Sequence, residues 1–337
     1  MLQRLQRLQR HRHHESRSID MHRNGFKFLV CLLLFASAIG ASGQSLLSPD
    51  LFHTLEFAHR GGYYGQAENT IEIVVDHLRN EDLNAMEVDL MLTKDGKLIL
   101  FHDDTINRML QYESTTSVYD LTADEICALP FRKRGFEHLR VSRFEDFVDT
   151  LTHLAVNEKL KFLIELDFKT TDENRQQAVD ELIRIVKSTE GKYDKAIYNY
   201  FFVSSFYPGA LGMLRAQSDD MVLAFATHPF YEHGKVKSRL AGWLMTTLAK
   251  KHHAQIVETH QCYINKSKVK RWKRKGFLVH SFTANSLDER NRIKDLNIAS
   301  TSDCPKVDNC PHDPSDSYVA KRWCKKCITG ELQPEKN

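Results

Sequence analysis

Over residues 55–298, short apolar runs alternate with stretches of helical period, and this alternation restricts the possible folds more than any other feature of the chain. The strand-like runs fall at 55–58, 84–92, 161–168, 201–204, 221–225, 255–257 and 277–282, and a last one begins at Ile298. One further run, 98–101, follows the turn Lys94-Asp95-Gly96-Lys97. Helical periodicity marks 70–79, 122–129, 143–154, 175–187, 208–216, 237–253, 266–275 and 287–295. Repeated strand–helix units imply a parallel sheet with helices outside it. About eight such units in ~260 residues predict an α/β fold, a closed (β/α)8 TIM barrel, over an open doubly wound sheet. His59-Arg60-Gly61-Gly62, after the first strand, lacks the spacing of a dinucleotide fingerprint or a P-loop.

The chain outside this pattern reads as a leader and a tail. Residues 21–27 are basic, 28–39 are apolar, and Ala41-Ser42-Gly43 supplies small residues for a peptidase. A core of about a dozen apolar residues suits a secretory signal better than a spanning helix, which needs ~20. The basic lead before Met21 leaves a retained signal anchor as the alternative. The expected organisation is a leader over 1–43, a catalytic barrel over 51–312 and a Cys-containing tail over 313–337. Residues 1–27 carry seven Lys or Arg against two acids, within a total formal charge of +3. The remainder is therefore net negative by about two charges, and the mild basicity is no argument for a nucleic-acid partner.

Six cysteines follow the leader: Cys127, Cys262, Cys304, Cys310, Cys324 and Cys327. After a secretory signal, disulfides are expected. Cys324 and Cys327 with Cys304 and Cys310 make a poorer zinc site, because the second pair is spaced too widely for a zinc knuckle. Asn265-Lys266-Ser267 is a glycosylation sequon. The expected location is the secretory pathway, with the catalytic domain lumenal or extracellular, secreted or anchored. Residues 237–253 carry Leu240, Ala241, Trp243, Leu244, Met245 and Leu248 between basic ends. They read as a helix packed on the sheet, with a membrane-facing helix as the alternative. Residues 266–275 hold seven Lys or Arg, a solvated face or a contact for anionic lipid.

Three strand ends collect the residues that carry chemistry. The first ends in His59-Arg60, and the second carries Glu87 and Asp89 and leads through the turn to His102-Asp103. The third carries Glu165, Asp167 and Lys169. Carboxylates at i and i+2 on a strand point the same way and can grip one hard divalent cation. A carboxylate from the next strand closes such a site. His59 and His102 would then flank a bound phosphate as general acid and base, and Arg60 and Lys169 would neutralise its charge. A single histidine at a strand end is more often structural than catalytic, and a carboxylate pair is often only the polar side of a half-buried strand. The ordered combination favours the functional reading. On the third strand Glu165, Asp167 and Lys169 share one face, so two registers compete. Asp167 is the preferred metal ligand, with Glu165 one layer deeper and bonded to Lys169, Arg60 or a water.

The series His59-Arg60-Gly61, Glu68-Asn69-Thr70, Glu87-Val88-Asp89, Thr93-Lys94-Asp95-Gly96 and His102-Asp103 closely resembles the glycerophosphodiester phosphodiesterase family of (β/α)8 barrels. Weaker similarity runs to about Cys310. Ser204-Ser205-Phe206 looks like the family's fourth strand end. Phe282-Thr283-Ala284-Asn285 is similar to a W-T-x-N element with Phe for Trp, and Thr301-Ser302-Asp303 with Pro305 resembles the closing I-T-D-x-P. Ala226-Thr227-His228-Pro229 and Val307-Asp308-Asn309-Cys310 look most like the animal membrane-glycoprotein branch acting on glycerophosphoinositol. The resemblance implies His59 and His102 as the acid/base pair. It also implies Glu87, Asp89 and an acid of the third strand as ligands for Mg²⁺ or Ca²⁺, and attack by a neighbouring substrate hydroxyl as the first step. The implied substrate is a small-molecule or lysolipid phosphodiester, met in solution or at a membrane surface. Phe282 alters one wall of the substrate pocket. Two other readings compete: a phospholipase D of the sphingomyelinase D type, against which the Glu68-Asn69-Thr70 element stands, and a catalytically inactive lipid- or partner-binding barrel.

Overall fold

Each apolar run becomes a strand in the computed structural model, which describes residues 45–80, 83–227 and 234–307, with the backbone alone for 234–242. The strands are β1 (Glu56–Ala58), β2 (Ala85–Leu92), β3 (Leu98–Leu100), β4 (Leu163–Phe168), β5 (Phe201–Ser205), β6 (Leu223–Thr227), β7 (Ile256–His260), β8 (Leu278–Phe282) and β9 (Ala299–Ser302). All but β3 run parallel, each pairs with its neighbour, and β1 pairs with both β2 and β9. Eight parallel strands thus close into a barrel. The antiparallel β3 hangs on β2 outside the closure. The longer helices are α1 (Ile71–Arg79), α2 (Phe144–Val156), α3 (Arg175–Tyr193), α4 (Pro208–Gln217), α5 (Gly234–Lys251), α6 (Lys266–Arg274) and α7 (Leu287–Asp295). Contacts gather the described residues from Leu46 to Val307 into one unit. The expected leader over 1–43, the tail over 313–337, Cys310, Cys324, Cys327 and the pairs His228-Pro229 and Asp308-Asn309 lie outside the described residues.

β2 removes one alternative. Its alternation also fits a half-buried strand with a solvated polar side, yet every residue is buried. Met86, Val88 and Leu90 face the helical layer, while Glu87 and Asp89 turn into the barrel, where the opposite wall covers them. Three strands and three helices also run past their predicted ends: β5 to Ser205, β6 to Thr227, β7 to His260, α2 to Val156, α3 to Tyr193 and α4 to Gln217. At the strand ends the ladder continues into polar residues that line the mouth, so hydrogen bonding outlasts the apolar pattern.

The helices pack by their stripes. In α1, Val74 and Leu78 are buried against β2 and α2, and Ile71 and Val75 are partly covered. In α6, Val269 and Trp272 are buried and most of the cations face outward. In α5, Met245 is buried and Leu248 packs on the core, but Trp243 and Leu244 are exposed. A second small core, including Met91, Ile99, Phe101, Ile106, Leu110, Val118 and Phe131, holds the segment that follows β2 against the barrel. That segment carries His102. Cys262 and Cys304 are buried, and Cys127 is a free, half-buried thiol. Among the described residues no helix is long and apolar enough to cross a membrane.

Candidate active site

Strand register decides which acids meet. β2 and β4 pair with Glu87 beside Glu165 and Asp89 beside Asp167. Glu87, Asp89 and Asp167 each present a carboxylate oxygen, and these oxygens lie within 4.8 Å of one another. Glu165 does not join them. It sits one layer deeper, with Glu258 of β7 and His280 of β8. Its expected partners are engaged elsewhere: Lys169 Nζ pairs with Asp89 Oδ1 at 2.7 Å and donates to the His102 carbonyl at 3.0 Å. Arg60 Nη1 donates to Glu68 Oε1 at 3.0 Å. Lys169 lies beyond Asp167 towards the mouth, so its chain reaches across to β2 rather than back into the barrel.

Both histidines border this cluster, each held at Nδ1. His59 follows β1, and its Nδ1 meets Asp303 Oδ1 at 2.5 Å, which turns Nε2 to 3.9 Å from Glu87 Oε2. Asp303 is itself fixed by Asn285: Nδ2 donates to Oδ2 at 2.5 Å, and the Asp303 amide donates to Asn285 Oδ1 at 2.9 Å. His102 Nδ1 meets Asp103 Oδ1 at 2.7 Å. Arg60 has a left-handed backbone, φ 57°. This turns its amide onto Glu87 Oε2 at 2.8 Å.

The crowding of charge shows in the protonation equilibria. Burial, then the Asp89 charge, pushes the Glu87 carboxyl up to about 8. Burial also drives Asp167 up to about 7, with Lys169 opposing. Burial would raise Asp89 as well, but Lys169, His102 and Arg60 hold it well below the usual range. Burial alone would depress His59; the charge and hydrogen bond of Asp303 more than offset this and keep it above its ordinary value. His102 goes the other way, lowered chiefly by burial against the pull of Asp89.

Several residues at the site carried no assigned role in the sequence reading. Asn69, at φ 58°, donates to Asp89 Oδ2 at 2.9 Å and accepts from the Asp89 amide at 2.9 Å. Arg108 joins Glu68 to Asp103, tying the β1–α1 loop to the segment that bears His102. Asp303 and Asn285 lie in the two late motifs, so the motifs were visible but not their contact with His59. Phe282, expected as a pocket wall, packs edge-on against Phe206 and His260, with ring centroids 5.6 and 6.0 Å away. Arg108 has no such signal; nothing local marks it. Asn265 caps α6, accepting from the Lys268 amide at 3.0 Å.

Three buried carboxylates facing one another are costly unless a cation lies among them. Asp167 Oδ1 is buried with no hydrogen-bond partner. This all-oxygen donor set fits a hard divalent cation.

Acids and histidines gathered at the C-terminal mouth of a closed (β/α)8 barrel define a barrel enzyme whose acids could hold a metal ion. The chain belongs to the glycerophosphoryl diester phosphodiesterase family, whose model matches residues 59–301, and it is a phosphoric diester hydrolase. It is 25% identical to the glycerophosphodiester phosphodiesterase 1 of Mus musculus over 275 residues, 76% of this chain and 79% of that one. With the Bos taurus protein of the same name it shares 27% over 252 residues, 69% of this chain and 72% of that one. An Oleispira antarctica phosphodiesterase solved with its product sn-glycerol-3-phosphate shares the fold at a TM-score of 0.61 and 17% identity, covering 74% of this chain and 93% of that one.

Proposed function

We propose that the chain hydrolyses glycerophosphodiesters by two-histidine catalysis on a phosphate held at Glu87, Asp89 and Asp167 with a divalent cation, Mg²⁺ or Ca²⁺. The observation that carries this reading is the convergence of those three acids beside two histidines, each with its Nδ1 held by its own carboxylate. The cation, when bound, supplies positive charge that polarises the phosphorus centre. The chain's own residues do the rest. Lys169 and Arg60 lie beside Asp89 and offer charge to phosphate oxygens.

The opposite shifts of the histidines divide their labour. His102, kept neutral, takes the proton of a neighbouring substrate hydroxyl as its oxygen attacks phosphorus. His59, whose proton is held more tightly than usual by Asp303, gives it to the departing alkoxide as that P–O bond breaks. In the second half the roles reverse. His59 takes a proton from water, whose oxygen opens the cyclic diester, and His102 returns its proton to the sugar or glycerol oxygen. The products are a phosphomonoester and an alcohol. The animal relatives named glycerophosphodiester phosphodiesterase 1 support a glycerophosphodiester as substrate; glycerophosphoinositol rests on the motif resemblance alone, and lysophospholipids belong to the same reaction class. The exposed Trp243 and Leu244 and the outward cations of α6 support contact with a lipid surface. The leader and the sequon support a secretory location.

The test is turnover of a panel of glycerophosphodiesters and lysolipids, with and without chelator. Metal-dependent release of an alcohol is expected. Choline or ethanolamine release that survives chelation and does not need His59 or His102 would sink the reading.

A further inference from the structure

Below the mouth lies a second cluster that the proposed reaction does not use. Glu165 of β4, Glu258 of β7 and His280 of β8 meet inside the barrel, at 1%, 4% and 0% exposure. His280 Nδ1 lies 3.2 Å from Glu165 Oε2 and 3.4 Å from Glu258 Oε1. Neither contact has hydrogen-bond geometry: His280 Nδ1 and Glu165 Oε2 are both buried without a hydrogen-bond partner. A buried polar atom left in that state carries an uncompensated desolvation penalty, and here two of them lie 3.2 Å apart.

We propose that Glu165, Glu258 and His280 form a second metal site, buried in the barrel, that takes a divalent transition-metal ion of the zinc class. Three features favour an ion over an accidental cluster. The first is spacing. Metal–ligand bonds of ~2.0–2.1 Å in a tetrahedron set ligand atoms about 3.3–3.4 Å apart, close to the 3.2 and 3.4 Å that separate Nδ1 from the two carboxylates. The second is the outer shell. His280 Nε2 shares a 3.0 Å hydrogen bond with Thr301 Oγ1, leaving Nδ1 to face the acids, and Ser204 Oγ donates to Glu258 Oε2 at 2.5 Å. Ligating imidazoles and carboxylates are held in this manner by their second atoms. The third is charge. Two carboxylates and one imidazole around a dication make a neutral unit, which the surrounding rings of Phe52, Phe57 and Phe202 can enclose. One imidazole with two carboxylates is a donor set for zinc, whereas the all-oxygen cluster above suits Mg²⁺ or Ca²⁺. The site is closed to solvent, so its ion enters as the barrel folds and leaves only when it opens.

The test uses the full chain expressed in animal cells, dialysed against EDTA and assayed for metal by mass spectrometry. About one equivalent of tightly held zinc-class metal is expected in the wild type. It should persist in the Glu87→Gln/Asp167→Asn double variant, which removes the mouth ligands, and fall in His280→Gln and Glu258→Gln. X-ray absorption on the wild type should show nitrogen and oxygen neighbours with one imidazole and no sulfur. That measurement does not depend on whether the variants fold. Metal-free wild type overturns the site. So does a sulfur shell, which would place the ion on cysteines, or an ion lost from the double variant but kept by His280→Gln. None of these outcomes bears on turnover at the mouth.

Discussion

The 2.5 Å contact between His59 Nδ1 and Asp303 holds the imidazole in one orientation and raises its proton affinity. A raised His59 stays protonated to higher pH, and a lowered His102 is neutral from lower pH. Activity should therefore fall on the acid side as His102 gains its proton, and on the alkaline side as His59 loses its own. Asp303→Asn removes the raising charge. Its alkaline limb should move to lower pH by about one unit or more, with the acid limb unmoved. A pH–rate profile checks this, and an unchanged alkaline limb would remove His59 from the role of acid. At β4 the two acids should also behave differently. Asp167→Asn should cost roughly 10²-fold or more in turnover, with little recovery at high metal. Glu165→Gln should keep most turnover but lower the melting temperature, since it disturbs a buried group. If Glu165→Gln abolishes turnover while Asp167→Asn only weakens it, the ligand position has been assigned two residues too far along the strand.

The segment between β1 and α1 places more of the site than its length suggests. Gly61 adopts φ 85°, and a Cβ there would meet Val74 Cγ2 at 2.8 Å and Val88 Cγ1 at 3.5 Å. α1 and β2 approach so closely at this point that only glycine fits beneath the Arg60 turn. Gly61→Ala should destabilise the fold by roughly 1–3 kcal/mol through strain and overpacking. It should also lower turnover by shifting the Arg60 amide away from Glu87. Thermal melts and kinetics on one preparation check both parts, and a variant with native melt and native turnover would show that the turn relaxes freely. Beside this loop, β3 and the small core behind it serve as a bracket. The bracket delivers His102, and Arg108 fastens it to Glu68.

For the molecule as a whole, two predictions concern what the barrel binds and where it is made. Chelation should abolish turnover, and Mg²⁺ or Ca²⁺ should restore it. The same ions should raise the melting temperature, because a ligand that binds only the folded barrel stabilises it by mass action. An unaltered melt on adding metal to the stripped protein would speak against a cation among Glu87, Asp89 and Asp167. In animal cells Asn265→Gln should remove a sugar-dependent mobility shift. The N-cap of α6 uses Oδ1 of Asn265, and a glycan on its nitrogen leaves that atom in place. Identical mobility of wild type and variant would place the chain outside the glycosylating pathway.

The barrel was readable from the chain because its signal is local. Strand and helix each bury one side, so period and length show in the spacing of Val74, Leu78, Met86 and Val88 without knowledge of any partner. His59, Glu87, Asp89, His102 and Asp167 could be picked out as candidates for a related reason: each is a polar residue that interrupts or ends an apolar run. Which acids share a site was a question of register between strands, and register is set by closure of all eight, not by β4 alone. Only the closed barrel separated Asp167 from Glu165, brought Asp303 to His59 across 244 residues of sequence, and set Glu258 and His280 against Glu165. A residue's neighbours along the chain constrain its backbone. Its neighbours across a barrel are chosen by topology, and no local pattern records them.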